Sequence, residues 1–301
     1  MTRTKRISRR QLLAGSLGAG AASLLFHGRL WSADAPVDAN RFVLLADTHV
    51  CEDPAKVVRE TNPSENFRVA RGQYLAVDAC PAGLIVAGDC AFLTGESGDY
   101  RRLEELVAPI PMPVTFAMGN HDHRERFWDV FPRQRSASAP PADRHVTLIE
   151  TPLADWFVLD SLDKTNATPG RIGAAQLEWL AGQLDARPDK PALVVAHHYP
   201  LAEDKPASLA SALLDTADLY DVILPRKRVK AYVFGHSHRW QFARIDGLHL
   251  VNLPALAWLF DPRQPRGWVD AQLQPDGIRL TLQCLDPAHD AHARPVELAW
   301  R

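Results

Sequence analysis

Five short apolar runs recur along the chain, each ended by a glycine or a polar turn. They are Phe42-Val43-Leu44-Leu45, Leu84-Ile85-Val86-Ala87, Val114-Thr115-Phe116-Ala117, Leu193-Val194-Val195 and Ala231-Tyr232-Val233-Phe234. Runs of this length, rich in β-branched and aromatic residues, predict buried strands. Between them, apolar residues return at helical spacing. Phe67, Ala70, Tyr74 and Val77 predict a helix over 64–78. Leu103, Leu106 and Val107 predict a second, capped by Asp99. Leu177, Leu180 and Leu184 predict a third over 174–184, and a fourth is expected over 209–220. Residues 145–149 and 156–160 read as a hairpin pair. Near the C-terminus the period changes to two, in 268–273 and 278–282, which predicts antiparallel strands joined at Pro275-Asp276-Gly277. The segment 132–144, rich in Pro, Ser and Ala, reads as a loop: a lid over a site, or a plain connection. Strand–helix alternation with a strand-rich end predicts an α/β protein with mixed sheets, two of them covered by helices, and no second domain.

Residues 1–35 do not fit that globule. Arg3, Lys5, Arg6, Arg9 and Arg10 form a basic head, followed by an apolar stretch from Leu12 to Phe26. A positive head before a short, glycine-containing apolar centre is the pattern of a secretory signal. Ser8-Arg9-Arg10-Gln11-Leu12-Leu13 looks like a twin-arginine motif, which implies the twin-arginine export machinery as a partner and a periplasmic or other extracytoplasmic destination. An ordinary Sec signal or a membrane anchor shares part of this pattern. Ala33-Asp34-Ala35 fits a cleavage site, although Pro36 after it opposes cleavage. The expected division is therefore a signal over 1–35 and a catalytic domain over 36–301, with no stable membrane span in the mature form.

Removing the signal changes the charge. The whole chain of 301 residues carries a formal net charge of −2, but residues 36–301 keep 28 basic against 35 acidic side chains, or −7. An acidic globule has no general electrostatic route to a nucleic acid backbone, so no nucleic acid partner is expected. Attraction for phosphate must be local. Four cysteines, Cys51, Cys80, Cys90 and Cys284, leave a disulfide possible in an oxidising compartment.

The candidate chemistry lies where the five strands end. Ala46-Asp47-Thr48-His49 follows the first run and Gly88-Asp89 the second. Gly119-Asn120-His121-Asp122 follows the third, His197-His198 the fourth and Gly235-His236-Ser237-His238 the fifth. Ligand-type residues at successive strand ends are expected along one edge of a sheet, where α/β folds place their sites. Two divalent ions held together need a shared carboxylate, a mix of oxygen and imidazole ligands, and open positions for water. These residues supply that mix.

The ordered set D-x-H, G-D, G-N-H-D, H and G-H-x-H closely resembles the calcineurin-like metallophosphoesterase superfamily, with all five motifs in order from Asp47 to His238. The resemblance implies the four-layer αββα sandwich. It implies two divalent transition-metal ions, of Mn, Fe or Zn type, with Asp47, His49 and His238 on one, Asn120, His197 and His236 on the other, and Asp89 between them. It implies that a metal-bound hydroxide attacks the phosphorus of a small-molecule phosphate ester. His121 looks like the family's catalytic histidine, with Asp122 beside it to orient it and keep it protonated. His198, Arg124 and Arg239 are candidates to touch substrate. Purple acid phosphatases carry a tyrosine three residues after the bridging aspartate; Phe92 stands there, which argues against an iron–tyrosinate centre. The layout is most similar to the bacterial cyclic-nucleotide phosphodiesterase-like branch. A phosphodiester substrate is therefore expected, with a phosphomonoester as the alternative and a nuclease or non-catalytic scaffold behind them.

Overall fold

The computed structural model describes residues 36–135, 142–201 and 210–301. The expected signal over 1–35 lies outside the described residues, as do 136–141 of the expected lid and 202–209.

Two six-stranded mixed sheets pack face to face. The first has the order β12-β11-β10-β1-β2-β3 and the second β4-β5-β6-β7-β9-β8. In the first, β1 (Val37–Leu45), β2 (Cys80–Val86) and β3 (Val114–Phe116) are parallel, while β10 (Gly267–Gln274), β11 (Gly277–Cys284) and β12 (Pro295–Ala299) extend it antiparallel. In the second, β5 (Asp155–Val158), β6 (Ala192–Val195), β7 (Val229–Phe234) and β9 (Leu248–Asn252) are parallel, with β4 (Thr147–Glu150) and β8 (Gln241–Ile245) antiparallel at the edges.

The apolar runs are continuous because both faces of each central strand are covered. Successive side chains point to opposite faces of a strand. Phe42 and Leu44 of β1 meet Leu193 and Val195 of β6 and Ala231 and Val233 of β7 in the core between the sheets. Val43 and Leu45 instead face the outer layer of α1 (Pro63–Tyr74), α2 (Ser97–Val107) and α3 (Arg124–Val130). Val194, Tyr232 and Phe234 face α4 (Ala174–Asp185) and α5 (Thr216–Ile223). The four layers are thus helices, sheet, sheet, helices, as the resemblance implied.

Several details differ from the sequence reading. Glu96, not Asp99, caps α2; the Asp99 carboxylate accepts from the backbone N–H of Glu96 at 3.2 Å and of Glu52 at 2.8 Å. The fourth helix begins at Thr216 because the backbone before it is tied to other loops. Leu213 N–H donates to the Tyr199 carbonyl and Leu214 N–H to the Gly170 carbonyl, both at 2.9 Å. The apolar periodicity does not reveal helix α3 or strands β8, β9 and β12. All four cysteines are buried free thiols. No helix among the described residues is long and apolar enough to cross a membrane.

Candidate metal centre and active site

The ligand-bearing loops do not line one sheet edge. Asp47, His49, Asp89 and Asn120 follow β1, β2 and β3 of the first sheet; His197, His236 and His238 follow β6 and β7 of the second. The sandwich brings the carboxyl ends of the two parallel segments together, and the seven side chains meet in the cleft between them.

Five of the seven carry a left-handed backbone: Asp47 (φ 53°), His49 (42°), Asp89 (49°), His236 (68°) and His238 (53°). Such a conformation costs a non-glycine residue roughly 1–2 kcal/mol. Strain repeated on neighbouring polar residues is a mark of function. The loops are stitched together: Asp47 N–H donates to the Gly88 carbonyl at 3.1 Å and His49 N–H to the Asp89 carbonyl at 2.9 Å. Gly88 sits at φ +83°, where an added Cβ would lie 2.6 Å from the Cβ of His197. A side chain there would push a ligand aside.

The geometry turns imidazole nitrogens toward one another in two pairs. His49 Nε2 lies 3.4 Å from His238 Nε2, and His197 Nε2 lies 3.1 Å from His236 Nδ1. His238 commits Nδ1 to the Trp258 carbonyl at 2.7 Å and His197 commits Nδ1 to the Ala87 carbonyl at 2.8 Å, which turns each Nε2 inward. Asp47 Oδ1 is 3.2 Å from His238 Nε2. Asp89 Oδ2 lies 3.2 Å from His197 Nε2 and 3.8 Å from His49 Nε2, so one carboxylate oxygen reaches both imidazole groups. Its other oxygen accepts the His121 N–H at 2.9 Å. Asn120 Oδ1 is buried without a partner. Buried imidazole nitrogens and carboxylate oxygens this close together, with an orphaned amide oxygen beside them, fit a cation.

Electrostatics agree. Burial raises the Asp89 carboxyl, but His197 and then His49 outweigh it and hold it well below the usual carboxylate range. Burial lowers His197, yet Asp89 and Asp47 pull it up to about 9. Burial dominates at His49 and His236 and pushes them down to about 3 and about 4, so both are neutral and free to ligate.

His121 is half-buried and lines the cavity, its Nδ1 against the Leu93 carbonyl at 2.6 Å. Asp122 does not face it. The Asp122 carboxylate is buried and accepts from the N–H groups of Cys90 (3.1 Å), Ala91 (3.1 Å) and Gly119 (2.9 Å) and from the Tyr100 hydroxyl (3.2 Å). Burial, then Asp89, raises it to about 6. It is a clamp on two ligand loops, and the orienting group for His121 is a backbone carbonyl.

The three substrate candidates also fall elsewhere. Arg124 is held by Asp160 (Nε to Oδ2 2.5 Å, Nη2 to Oδ1 2.9 Å) and by the Leu162 carbonyl. His198 is fully buried, with Nδ1 2.8 Å from Ser161 Oγ and Nε2 3.1 Å from the Thr168 carbonyl. Burial, then His236 and His197, push its pKa well down, so it stays neutral and supports the two ligand rings it packs on. Arg239 lines a neighbouring cavity of about 430 Å³.

The site opens into a cavity of about 620 Å³. Its walls include residues that carry no motif. Trp258 stacks on His49 at 4.1 Å, Phe260 stacks on His238 at 4.3 Å, and Phe92 stands edge-on to Trp258 at 6.2 Å. Arg59, Asn166, Thr168 and Tyr199 complete the rim.

A two-sheet sandwich with this Asp/His/Asn cluster at its cleft defines a metal-dependent phosphoric ester hydrolase. The chain belongs to the calcineurin-like phosphoesterase family, whose profile matches residues 40–240. It is 28% identical over 239 residues to a probable cyclic nucleotide phosphodiesterase of Synechococcus, covering 77% of this chain and 87% of that one. It is 25% identical over 272 residues to the 3',5'-cyclic adenosine monophosphate phosphodiesterase CpdA of Haemophilus influenzae, covering 86% and 94%. A dimetal phosphatase from Danio rerio shares the fold, with a TM-score of 0.65 at 13% identity over 87% of this chain and 99% of that one.

Proposed function

We propose that the protein is an exported phosphodiesterase working on a small phosphate ester with two divalent transition-metal ions. The observation that carries the reading is the paired geometry around Asp89, whose single oxygen reaches both imidazole groups. Asp47, His49 and His238 would hold one ion, Asn120, His197 and His236 the other, with Asp89 shared. Bound there, such ions supply a Lewis acid for the phosphoryl oxygens and a water acidic enough to react at neutral pH.

The chain's own groups do the rest. Asp122 fixes the Asp89 and Gly119 loops. The carbonyls of Ala87 and Trp258 fix two imidazoles in one tautomer. His121 gives its Nδ1–H to Leu93, which leaves Nε2 as the atom facing the cavity. With both ring nitrogens protonated, His121 would hand the Nε2 proton, or a hydrogen bond from it, to the departing oxygen. The aromatic walls of Phe92, Trp258 and Phe260 limit water in the cleft.

The diester preference is supported by the relatives' names and by a cavity roomy enough for a group on each side of phosphorus. Export is supported by Ser8-Arg9-Arg10-Gln11-Leu12-Leu13. The test is a panel of bis(p-nitrophenyl) phosphate, p-nitrophenyl phosphate and cyclic nucleotides, each with Mn, Zn, Fe and no added metal. Diesters are expected to be cleaved at least as well as the monoester. A clear monoester preference would replace this reading with a phosphomonoesterase.

A further inference from the structure

Neither Arg124 nor Arg239 reaches the cavity, but another guanidinium does. Arg59 is the only arginine or lysine among the described residues lining it. Among the described residues no carboxylate lies within ion-pair distance of Arg59; its contact is with a ring, Cζ lying 5.4 Å over Phe260. Phe260 in turn stacks on the metal-site residue His238 and remains 59% exposed.

The segment that presents Arg59 is built to hold it. Arg59 (φ 46°) and Glu60 (φ 65°) are both left-handed, a conformation that glycine would take without strain. The turn closes through Val58 and Thr61, whose backbones exchange hydrogen bonds of 2.8 and 3.0 Å. It is tied to the opposite wall: Thr61 Oγ1 donates to the Ala257 carbonyl at 3.0 Å, and Asn66 Nδ2 donates to the carbonyls of Leu256 and Ala257 at 2.9 and 2.8 Å. Local strain is therefore kept, and anchored, to aim one arginine across the aromatic rim.

We propose that Arg59 and Phe260 form the outer, specificity-determining subsite of the cavity, taking a planar heteroaromatic base carried by the phosphate ester. This deepens the phosphodiesterase reading and rests on it. Arginine stacks on flat rings and keeps its N–H edge free for ring nitrogens or carbonyl oxygens. The neighbouring wall of Val58, Phe92, Leu93 and Trp258 is apolar, which suits a flat organic group and not a second anion. A glycerol or choline head group offers no such face.

The test is calorimetric binding of AMP, ribose 5-phosphate and inorganic phosphate to the metal-reconstituted protein. The wild type is compared with Arg59→Gly, Phe260→Ala and Phe260→Tyr. Phe260→Ala is expected to weaken AMP about five- to tenfold and ribose 5-phosphate less than about twofold, because the ring backs the Arg59 guanidinium on which the base stacks. Phe260→Tyr should retain AMP. Arg59→Gly should weaken AMP by a similar factor while unfolding no earlier than the wild type, because glycine relieves the strained backbone. Equal losses for AMP and ribose 5-phosphate, or wild-type protein that does not prefer AMP over ribose 5-phosphate, would overturn the subsite and leave the phosphodiesterase standing. Loss of inorganic phosphate in Arg59→Gly would make Arg59 an anion clamp and overturn it too. Wild-type protein binding neither AMP nor phosphate would bring down the underlying reading itself.

Discussion

Asp122→Ala separates two roles for the residue after His121, the proposed general acid. If Asp122 oriented His121, its loss would lower activity and spare the fold. The structure instead gives it four buried donors, from Cys90, Ala91, Gly119 and Tyr100. Leaving a buried donor unpaired costs roughly 1–3 kcal/mol, so four cost at least about 4 kcal/mol. Against that, the variant no longer buries a carboxyl whose pKa has risen from 3.8 to about 6. At neutral pH that relief is worth about 3 kcal/mol at 1.36 kcal/mol per unit. At the middle of the donor range four donors cost about 8 kcal/mol, so a net loss of about 5 kcal/mol is expected, the size found on breaking a buried charged network. For a domain of this size that lowers Tm by roughly 10–20 °C. Metal content should fall with stability, because Cys90 and Gly119 flank Asp89 and Asn120. Thermal unfolding and metal analysis of the same preparation provide the check. A variant within about 1 kcal/mol of wild type, with full metal and no activity, would refute the clamp and restore the orienting role.

His121→Ala should keep its metal and lose roughly 10²- to 10⁴-fold in rate, more for an alkoxide leaving group than for nitrophenolate; equal losses for both esters would remove the general-acid role. In metal-stripped protein, His197 is raised from 6.5 to about 9, so its contribution to stability is full below pH 6.5 and is lost as pH rises through about 9. Thermal melts across that window should show the loss in wild type and not in His197→Gln, and a flat wild-type curve would contradict it. A reporter fused to residues 1–35 should be exported only through the twin-arginine machinery, and replacing Arg9 and Arg10 with Lys should block it; export that survives would indicate the Sec route.

The residues that meet in the cleft were legible because their types sit at fixed offsets from strand ends, and strand ends are visible as breaks in apolar runs. The four-layer sandwich followed from the resemblance their motifs carry, not from the apolar runs. They could not show that the five strands divide between two sheets, since a run covered on both faces looks alike in either. Strand β8 escaped notice because it is an edge strand with much of its surface in solvent. Arg124 and Arg239 stand near motifs in sequence yet point elsewhere, since an arginine's direction is set by its partner, Asp160 in the first case. The orienting groups for His121, His197 and His238 are the carbonyls of Leu93, Ala87 and Trp258, and a backbone carbonyl leaves no trace in residue identity. Arg59 was equally hidden: only the fold reveals that its strained turn faces the cleft.

The central claim is a site for two cations that share Asp89. Metal-stripped protein titrated with manganese or zinc, followed by both bound metal and phosphodiesterase activity, tests it most directly. The account predicts binding that saturates near two ions per chain, activity that rises to its plateau with the second, and loss of most of both ions in Asp89→Ala. No stoichiometric metal after reconstitution, or activity indifferent to chelation, would contradict it.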